Sequence, residues 1–342
     1  MTDERGGPNQ VEHVRLNAPF PWFGGKSRAA ELIWNALGDC QNYVEPFAGS
    51  LAVLLARPHA ARTETVNDLD CMIANVWRAI REAPEEVARW ADWPVNEADL
   101  HARHQWLVDQ LAFRERMKTD PDFFDAKIAG WWCWGICQWI GSGWCDGAME
   151  RKRPGLAAGG KGVHRQRPRL AAGGMGVHRQ LPHISDSGIG VHRATPLYDW
   201  MAALSERLRR VRVCCGDWRR VLGPSPTVHV GLTGVLLDPP YSAEAGRDNN
   251  LYREESRDVA HDVREWAIEH GGNPMLRIAL CGYEGEHAMP AGWRVVEWRP
   301  PGGYGTQRRD GSNENQARER LWFSPACLRA RGQGDLFAVA AT

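Results

Sequence analysis

The chain has no apolar run near the roughly 18 residues that a membrane span requires, and its first ten residues, Met1 to Gln10, are polar and charged with no apolar core of a signal peptide behind them. These absences predict a soluble, cytoplasmic protein with no membrane-spanning helix, no secretory leader and a loose first dozen residues. Net charge is missing too: 42 Lys and Arg stand against 42 Asp and Glu, so bulk charge identifies no partner. Cysteine is odd in number at nine and scattered, with Cys214-Cys215 inside an apparent strand. That pattern fits a reducing compartment better than a disulfide framework. Cys133, Cys137 and Cys145 lack C-x-x-C spacing, so no metal site is expected there. A length of 342 residues makes one large domain or two ordinary ones.

What is present is organised around Gly234-Val235-Leu236-Leu237, an apolar run that leads into Asp238-Pro239-Pro240-Tyr241. Such a run reads as a buried strand. Two prolines cannot continue a ladder, since neither has an N–H and each fixes its own φ, so the chain leaves the sheet at Asp238. A carboxylate, a rigid turn with exposed carbonyls and an aromatic ring then lie at the carboxyl end of a strand, where open α/β sheets bind ligands. This set suits a planar amine: Asp238 and a turn carbonyl accept from an exocyclic NH2, and Tyr241 stacks on the ring. The plain alternative is a proline turn after an edge strand, with Asp238 as a cap.

Three earlier stretches carry similar signals. Pro21-Trp22-Phe23-Gly24-Gly25-Lys26 precedes a helical pattern from Arg28 to Leu37. Its glycines allow close approach of a ligand to the backbone, and its lysine can meet a carboxylate or phosphate. It is not a P-loop, because Phe20 stands where the first glycine belongs and no strand enters the loop. An ordinary glycine turn capping a helix is the alternative. Asn42 to Glu45 then reads as a strand, followed by the small-residue turn Pro46-Phe47-Ala48-Gly49-Ser50 and the start of a helix. Thr65-Val66-Asn67-Asp68-Leu69-Asp70 reads as a second strand ending in acids, the place where a Rossmann-type fold puts a carboxylate on a ribose diol. The competing reading makes Asp68 the N-cap of a helix near Cys71, and Asp70 a solvated first-turn acid.

From Cys71 to Gln138 the pattern is helical scaffold, and the tryptophan-rich stretch Ile128 to Ile140 is apolar nearly all round, so it is a buried helix or a wall of a cleft. Residues 153–194 are three copies of a 14-residue unit, each ending in Gly-Val-His-Arg at Arg165, Arg179 and Arg193. The unit has little to bury. It is a small stacked array, an extended basic segment suited to a phosphate backbone, or a linker without specific function. Further strands are expected at Val211–Cys215, followed by Gly216-Asp217-Trp218, and at Leu276–Leu280, Arg294–Trp298 and Arg320–Phe323, with polar loops at Ala243–Asn250 and Pro300–Asn315. The sum is an α/β sheet of about seven strands with a large insertion before the fourth or fifth.

In this order, the Trp22 to Lys26 turn, Glu45 to Ser50, Asn67-Asp68, Gly216 to Trp218 and Asp238 to Tyr241 make residues 18 to 325 resemble the Dam-like DNA adenine-N6 methyltransferases. The resemblance implies a Rossmann-like, seven-stranded class I methyltransferase sheet, mostly parallel with one antiparallel strand. It implies S-adenosyl-L-methionine as cofactor, double-stranded DNA as partner, and methyl transfer to N6 of a flipped adenine in a bacterial or phage-infected cell. Residues 1–76 and 197–328 would form the methyltransferase domain, 77–196 the inserted target-recognition region and 329–342 a tail. A cognate restriction endonuclease is an optional partner, and a monomer or weak dimer the expected assembly. By the same resemblance, Trp22, Gly24, Gly25 and Lys26 would hold the methionine part of the cofactor. Glu45, Pro46, Phe47, Ala48, Gly49 and Ser50 would face it, Asn67 and Asp68 would serve the ribose, and Asp217 and Trp218 would frame the adenine. Asp238, Pro239, Pro240 and Tyr241 would be catalytic, with Arg165, Arg179 and Arg193 on DNA. The repeats depart from the family pattern, as does Trp139-Ile140-Gly141-Ser142-Gly143-Trp144, which replaces a polar segment; the target sequence is therefore open. A cytosine-N4 methyltransferase and a non-catalytic DNA-binding protein of the same fold are the rival readings.

Overall fold

Seven strands form one sheet in the order β3-β2-β1-β4-β5-β7-β6 in the computed structural model, which describes residues 16–22, 25–139, 144–145, 197–240, 259–298 and 319–329. In chain order the elements are α1 (Ala30–Leu37), β1 (Asn42–Glu45), α2 (Ala52–Leu55), β2 (Thr63–Asp68), α3 (Cys71–Glu82), α4 (Pro84–Ala91), α5 (Glu97–Val108), α6 (Leu111–Thr119), α7 (Ala126–Ile136), α8 (Leu197–Leu208), β3 (Val211–Cys215), β4 (Thr233–Leu237), α9 (Val259–His270), β5 (Leu276–Tyr283), β6 (Arg294–Glu297) and β7 (Glu319–Phe323).

Every residue of β1, β4 and β7 is buried, because helices cover both faces of the sheet, and this is why these strands read as unbroken runs rather than alternating ones. Strands β1 to β5 are mutually parallel, while β7 runs antiparallel to both β5 and β6. The single reversed strand expected from the resemblance is thus β7. Its first residue lies at the edge where the parallel strands end, with Glu319 opposite Tyr283. Beyond β1 the chain builds outward to β2 and β3, then returns to place β4 on the other side of β1. The crevice at the carboxyl ends of β1 and β4 is therefore the topological switch point.

All seven strands occur where the sequence places them, but the insertion does not. It follows β2 and precedes β3, the third strand; taking it to precede the fourth or fifth was an error of chain order, since burial patterns carry no count of strands. Helix α3 also runs unbroken across positions 76 and 77. Asp70 caps α3 by accepting from Met72 N–H at 2.8 Å, so capping falls to Asp70 and leaves Asp68 for other work.

The helices after β2 are fastened to the sheet by buried polar groups. Arg78 on α3 donates to the carbonyls of Val213, Met117, Asp120 and Phe123, joining β3 to the α6–α7 connection. Asn75 and Asp125 exchange two hydrogen bonds, 2.7 and 2.9 Å, between α3 and the start of α7. Glu64 of β2, fully buried, meets Arg57 at 3.1 Å and Arg207 of α8 at 2.6 Å. Helix α7 is the expected buried helix: Trp132 and Trp134 are enclosed, and Gly130 and Gly135 leave room for Trp90 and Trp144. A Cβ at Gly130 would lie 2.7 Å from the Val87 carbonyl oxygen, so α4 and α7 touch backbone to backbone there. All nine cysteines are free thiols. Among the described residues no helix is long and apolar enough to cross a membrane.

Candidate active site at the carboxyl edge of the sheet

Strands β1, β2 and β4 end in, or lead directly into, Glu45, Asp68 and Asp238, and Gly216-Asp217 follows β3. Glu319 joins this row from the head of the reversed strand β7. The row follows from topology, because parallel strands end on one side and only an antiparallel one begins there.

Lys26 lies at its centre. Its Nζ is 3.1 Å from Asp238 Oδ1 and 3.7 Å from Glu319, and the residue is 3% exposed. Burial alone disfavours the ammonium, but the facing carboxylates of Asp238 and Glu319 outweigh it and raise its pKa above the ordinary lysine value. Two distant parts of the sequence, the glycine turn before α1 and the proline turn after β4, therefore meet in one ion pair. Lys26, assigned by resemblance to the methionine end of a cofactor, stands against Asp238.

The two glycine turns also meet. A Cβ on Gly25 would be 3.5 Å from Ser50 Oγ, and one on Gly49 would be 2.5 Å from Trp22 Nε1. Gly49 has φ +46° and Leu51, which follows Ser50, has φ +53°. A buried leucine held in the left-handed region marks strain stored in this turn. Phe20 packs on Trp77 and Trp132, and Trp22 lies 6.4 Å from Trp132, so α7 buttresses the Trp22 turn.

The turn after β1 spends its own donors. Ala48 N–H donates to Asn67 O at 2.8 Å and Gly49 N–H to Asp68 Oδ2 at 3.0 Å, so neither is aimed at a ligand. Asn67, 1% exposed, donates through Nδ2 to Pro46 O at 3.1 Å and Gly216 O at 2.9 Å. It clamps the ends of β1, β2 and β3, a structural part that spacing alone could not distinguish from ligand binding. Asp68 accepts from Gly49 and Asp70 N–H, which leaves part of its four-site acceptor capacity open. Trp218 is buried beside Phe47 at 6.2 Å, with the Arg219 guanidinium 4.6 Å over its ring. Asp217 is exposed and pairs with Arg219 at 3.4 Å.

Burial pushes Glu45 up from 4.5 to about 8, with the charge of Asp238 adding to the effect and the Tyr43 hydroxyl, 3.1 Å away, opposing it. Burial, then the neighbouring Asp70, lifts Asp68 to about 7 against its backbone hydrogen bonds. Glu45 is thus a neutral acid at pH 7. An unfolded chain releases that proton near 4.5 and the fold keeps it to about 8, so the contribution of Glu45 to stability falls as pH rises through that window. Glu45→Gln is therefore expected to gain melting temperature relative to the wild type between pH 5 and 9, measured by thermal unfolding; a difference that does not vary with pH would contradict this titration.

Residues 22–101 match the family model described as D12 class N6 adenine-specific DNA methyltransferase. Over this stretch, 80 of its 342 residues, the chain is similar to that family. A search of the curated proteins finds no match. The matched span holds Lys26, Glu45 to Ser50, Asn67 and Asp68; Asp217, Asp238 and Glu319 lie outside it, and the sheet brings them to the same edge. Glu319 escaped the sequence reading. The one available sign was an acid heading an apolar strand after a long polar segment, and its meaning depends on strand direction. Gly24, Tyr241, Arg165, Arg179, Arg193, the repeats and the loops at 243–250 and 300–315 lie outside the described residues.

The acids Glu45, Asp68, Asp217, Asp238 and Glu319 fit a ligand that offers hydroxyl and amine donors and a cationic centre. S-adenosylmethionine is such a ligand. At Gly49 a Cβ would run into the Trp22 indole, so that position leaves no space for a side chain where the two turns meet.

Proposed function

We propose that the protein transfers a methyl group from S-adenosylmethionine to N6 of an adenine turned out of duplex DNA. The observation that carries this is Asp238, placed at the switch point after β4 with Oδ1 held 3.1 Å from Lys26. The sulfonium supplies an activated methyl and a good leaving group when the cofactor is bound. What the chain must do is orient. Asp238, steadied by Lys26, and the carbonyl of Pro239 accept the amine protons, aligning its lone pair. Pro240 fixes the turn, and Tyr241 is assigned to stacking on the flipped base. Asp68 is assigned to the ribose hydroxyls, and Asp217 with Trp218 to the cofactor adenine. Trp22, Gly25 and the Phe47 to Ser50 turn enclose the methionine end.

The helices from α4 to α7 and the repeats at 153–194 are assigned to target recognition, with Arg165, Arg179 and Arg193 on phosphates. The test is expression in a host without DNA methylation, followed by sequencing that reads modified bases in single molecules. N6-methyladenine in a fixed context is the expected result. N4-methylcytosine would shift the assignment to the rival base, and unmodified DNA from a protein that fails to bind S-adenosylmethionine would favour a non-catalytic DNA-binding role.

A further inference from the structure

Cys71 and Cys215 stand sulfur to sulfur although 144 residues separate them: the Cys215 thiol donates to Cys71 Sγ at 3.7 Å. The topology makes this contact. Cys215 ends β3 opposite Asp68 in the parallel ladder with β2, and Cys71 opens α3 just after the Asp68 to Asp70 turn. Both are buried, and Cys214, on the alternate face of β3, is half-buried. Cys71 Sγ also faces the Arg114 carbonyl at 3.6 Å. The hydrogen bond from Cys215 holds the Cys71 thiol below the ordinary cysteine value, against burial and the Asp70 charge, and the charges of Lys118 and Arg114 add to it. The same bond, and then burial, pushes Cys215 up. One sulfur is thus favoured as the thiolate at a helix N-terminus, with a second thiol in contact to resolve whatever it becomes.

The pair lies directly beneath the edge that carries the candidate site. Leu69 is 58% exposed, and Asp70 and Asp217 are also at the surface. Asp70, next to Cys71, holds Asp68 Oδ1 through its N–H at 2.9 Å. Gly216, next to Cys215, donates its N–H to Asp68 O at 3.0 Å. Each cysteine is therefore the chain neighbour of a group that orients Asp68.

We propose that Cys71 and Cys215 form a reversible disulfide that displaces Asp68 and weakens cofactor binding, with a peroxide as the oxidant. The disulfide site stands on the sulfur contact alone; its effect on binding rests on reading the edge as an S-adenosylmethionine pocket. The Cys71 thiolate attacks one oxygen of hydrogen peroxide, the O–O bond breaks, and the other oxygen leaves as water with the Cys71 proton, giving a sulfenic acid. The Cys215 sulfur then forms the S–S bond, the S–O bond breaks, and the oxygen leaves as a second water with the Cys215 proton. The two sulfurs lose two electrons in all, and the peroxide gains them. The sulfurs must close from 3.7 Å to about 2.05 Å. The end of β3 is clamped by Asn67 on Gly216 O and by Gly216 N–H on Asp68 O. The movement therefore falls on the first turn of α3 and reaches the Asp68 carboxylate through Asp70 N–H.

The test treats the full chain with a small molar excess of hydrogen peroxide, maps the bridges by mass spectrometry of its peptides, and measures affinity for S-adenosylmethionine by titration calorimetry. A Cys71–Cys215 bridge is expected, with affinity reduced by about tenfold, the scale of one lost hydrogen bond to a charged group. Dithiothreitol, which does not reverse methionine oxidation, is expected to restore it. Cys71→Ser and Cys215→Ser are expected to bind as the reduced wild type does and to keep that affinity in peroxide, whereas Cys214→Ser should respond as the wild type does. Absence of the bridge, a bridge to another cysteine in its place, an unchanged affinity once the bridge has formed, or an equal loss in Cys71→Ser would each overturn the proposal. The peptide map of the wild-type chain needs no variant, so a serine substitution that unfolded would leave the bridge decided. A reduced wild-type chain that binds no S-adenosylmethionine would defeat the pocket reading and the switch built on it, while the map would still decide the disulfide.

Discussion

With Asp238 changed to alanine, methyl transfer is expected to fall by on the order of a thousandfold, the scale of losing one preorganised group at a reacting centre. The fold is expected to survive, because Lys26 retains Glu319 as a counter-ion at 3.7 Å. Affinity for S-adenosylhomocysteine should stay within a few-fold, since Asp238 lies outside both the Trp22 turn and the Phe47 to Ser50 turn. Affinity for the cationic donor should weaken modestly, because one of two carboxylates is gone. A filter assay with labelled donor and an independent binding titration separate the two effects. A variant that lost cofactor affinity but kept turnover would remove Asp238 from the chemistry.

Lys26→Met should have the largest effect on stability. It leaves Asp238 and Glu319, with Glu45 behind them, in a buried site without their cation. Breaking a buried ion pair from one side typically costs about 3–5 kcal/mol, most of it from the charge left behind. The remaining acids escape that cost by taking up protons, so the variant should recover stability as pH falls, opposite to an ordinary acid-sensitive pair. Adding Glu319→Gln to Lys26→Met should recover part of the loss at neutral pH, since it removes one of the stranded charges. Urea unfolding of the two variants at pH 5.5 and 8 checks both expectations. A loss independent of pH and of residue 319 would show that Lys26 matters through packing alone.

Legibility in the sequence followed the range of the interaction. All seven strands could be read, because each carries β-branched, aromatic or other apolar residues and most are bounded by turns rich in Gly, Pro or Asp. Asp238 and Asp68 could be read as strand-end acids for the same reason. The roles of individual side chains were less legible. Asn67 and Asp68 are adjacent in one motif, yet the first clamps three strand ends and the second keeps acceptor capacity toward the cleft. The sequence offered Asp68 as the helix cap and Asp70 as a solvated first-turn acid, and the Met72 N–H gave the cap to Asp70. The tryptophans of α7 were open to two readings, and enclosure by α4 and the Trp22 turn decided for packing.

The sequence by itself determined the fold class, the strand ends and the set of acids beside them, because these depend on period, backbone stereochemistry and residue type over a few positions. It could not determine that β7 runs against its neighbours. Nor could it place Glu319, nearly 300 residues from Lys26 in the chain, on the second side of that ammonium. Those outcomes depend on strand order and direction, which are set by long-range pairing. Only the assembled sheet brings the glycine turn, the proline turn and the head of the last strand to one buried charge.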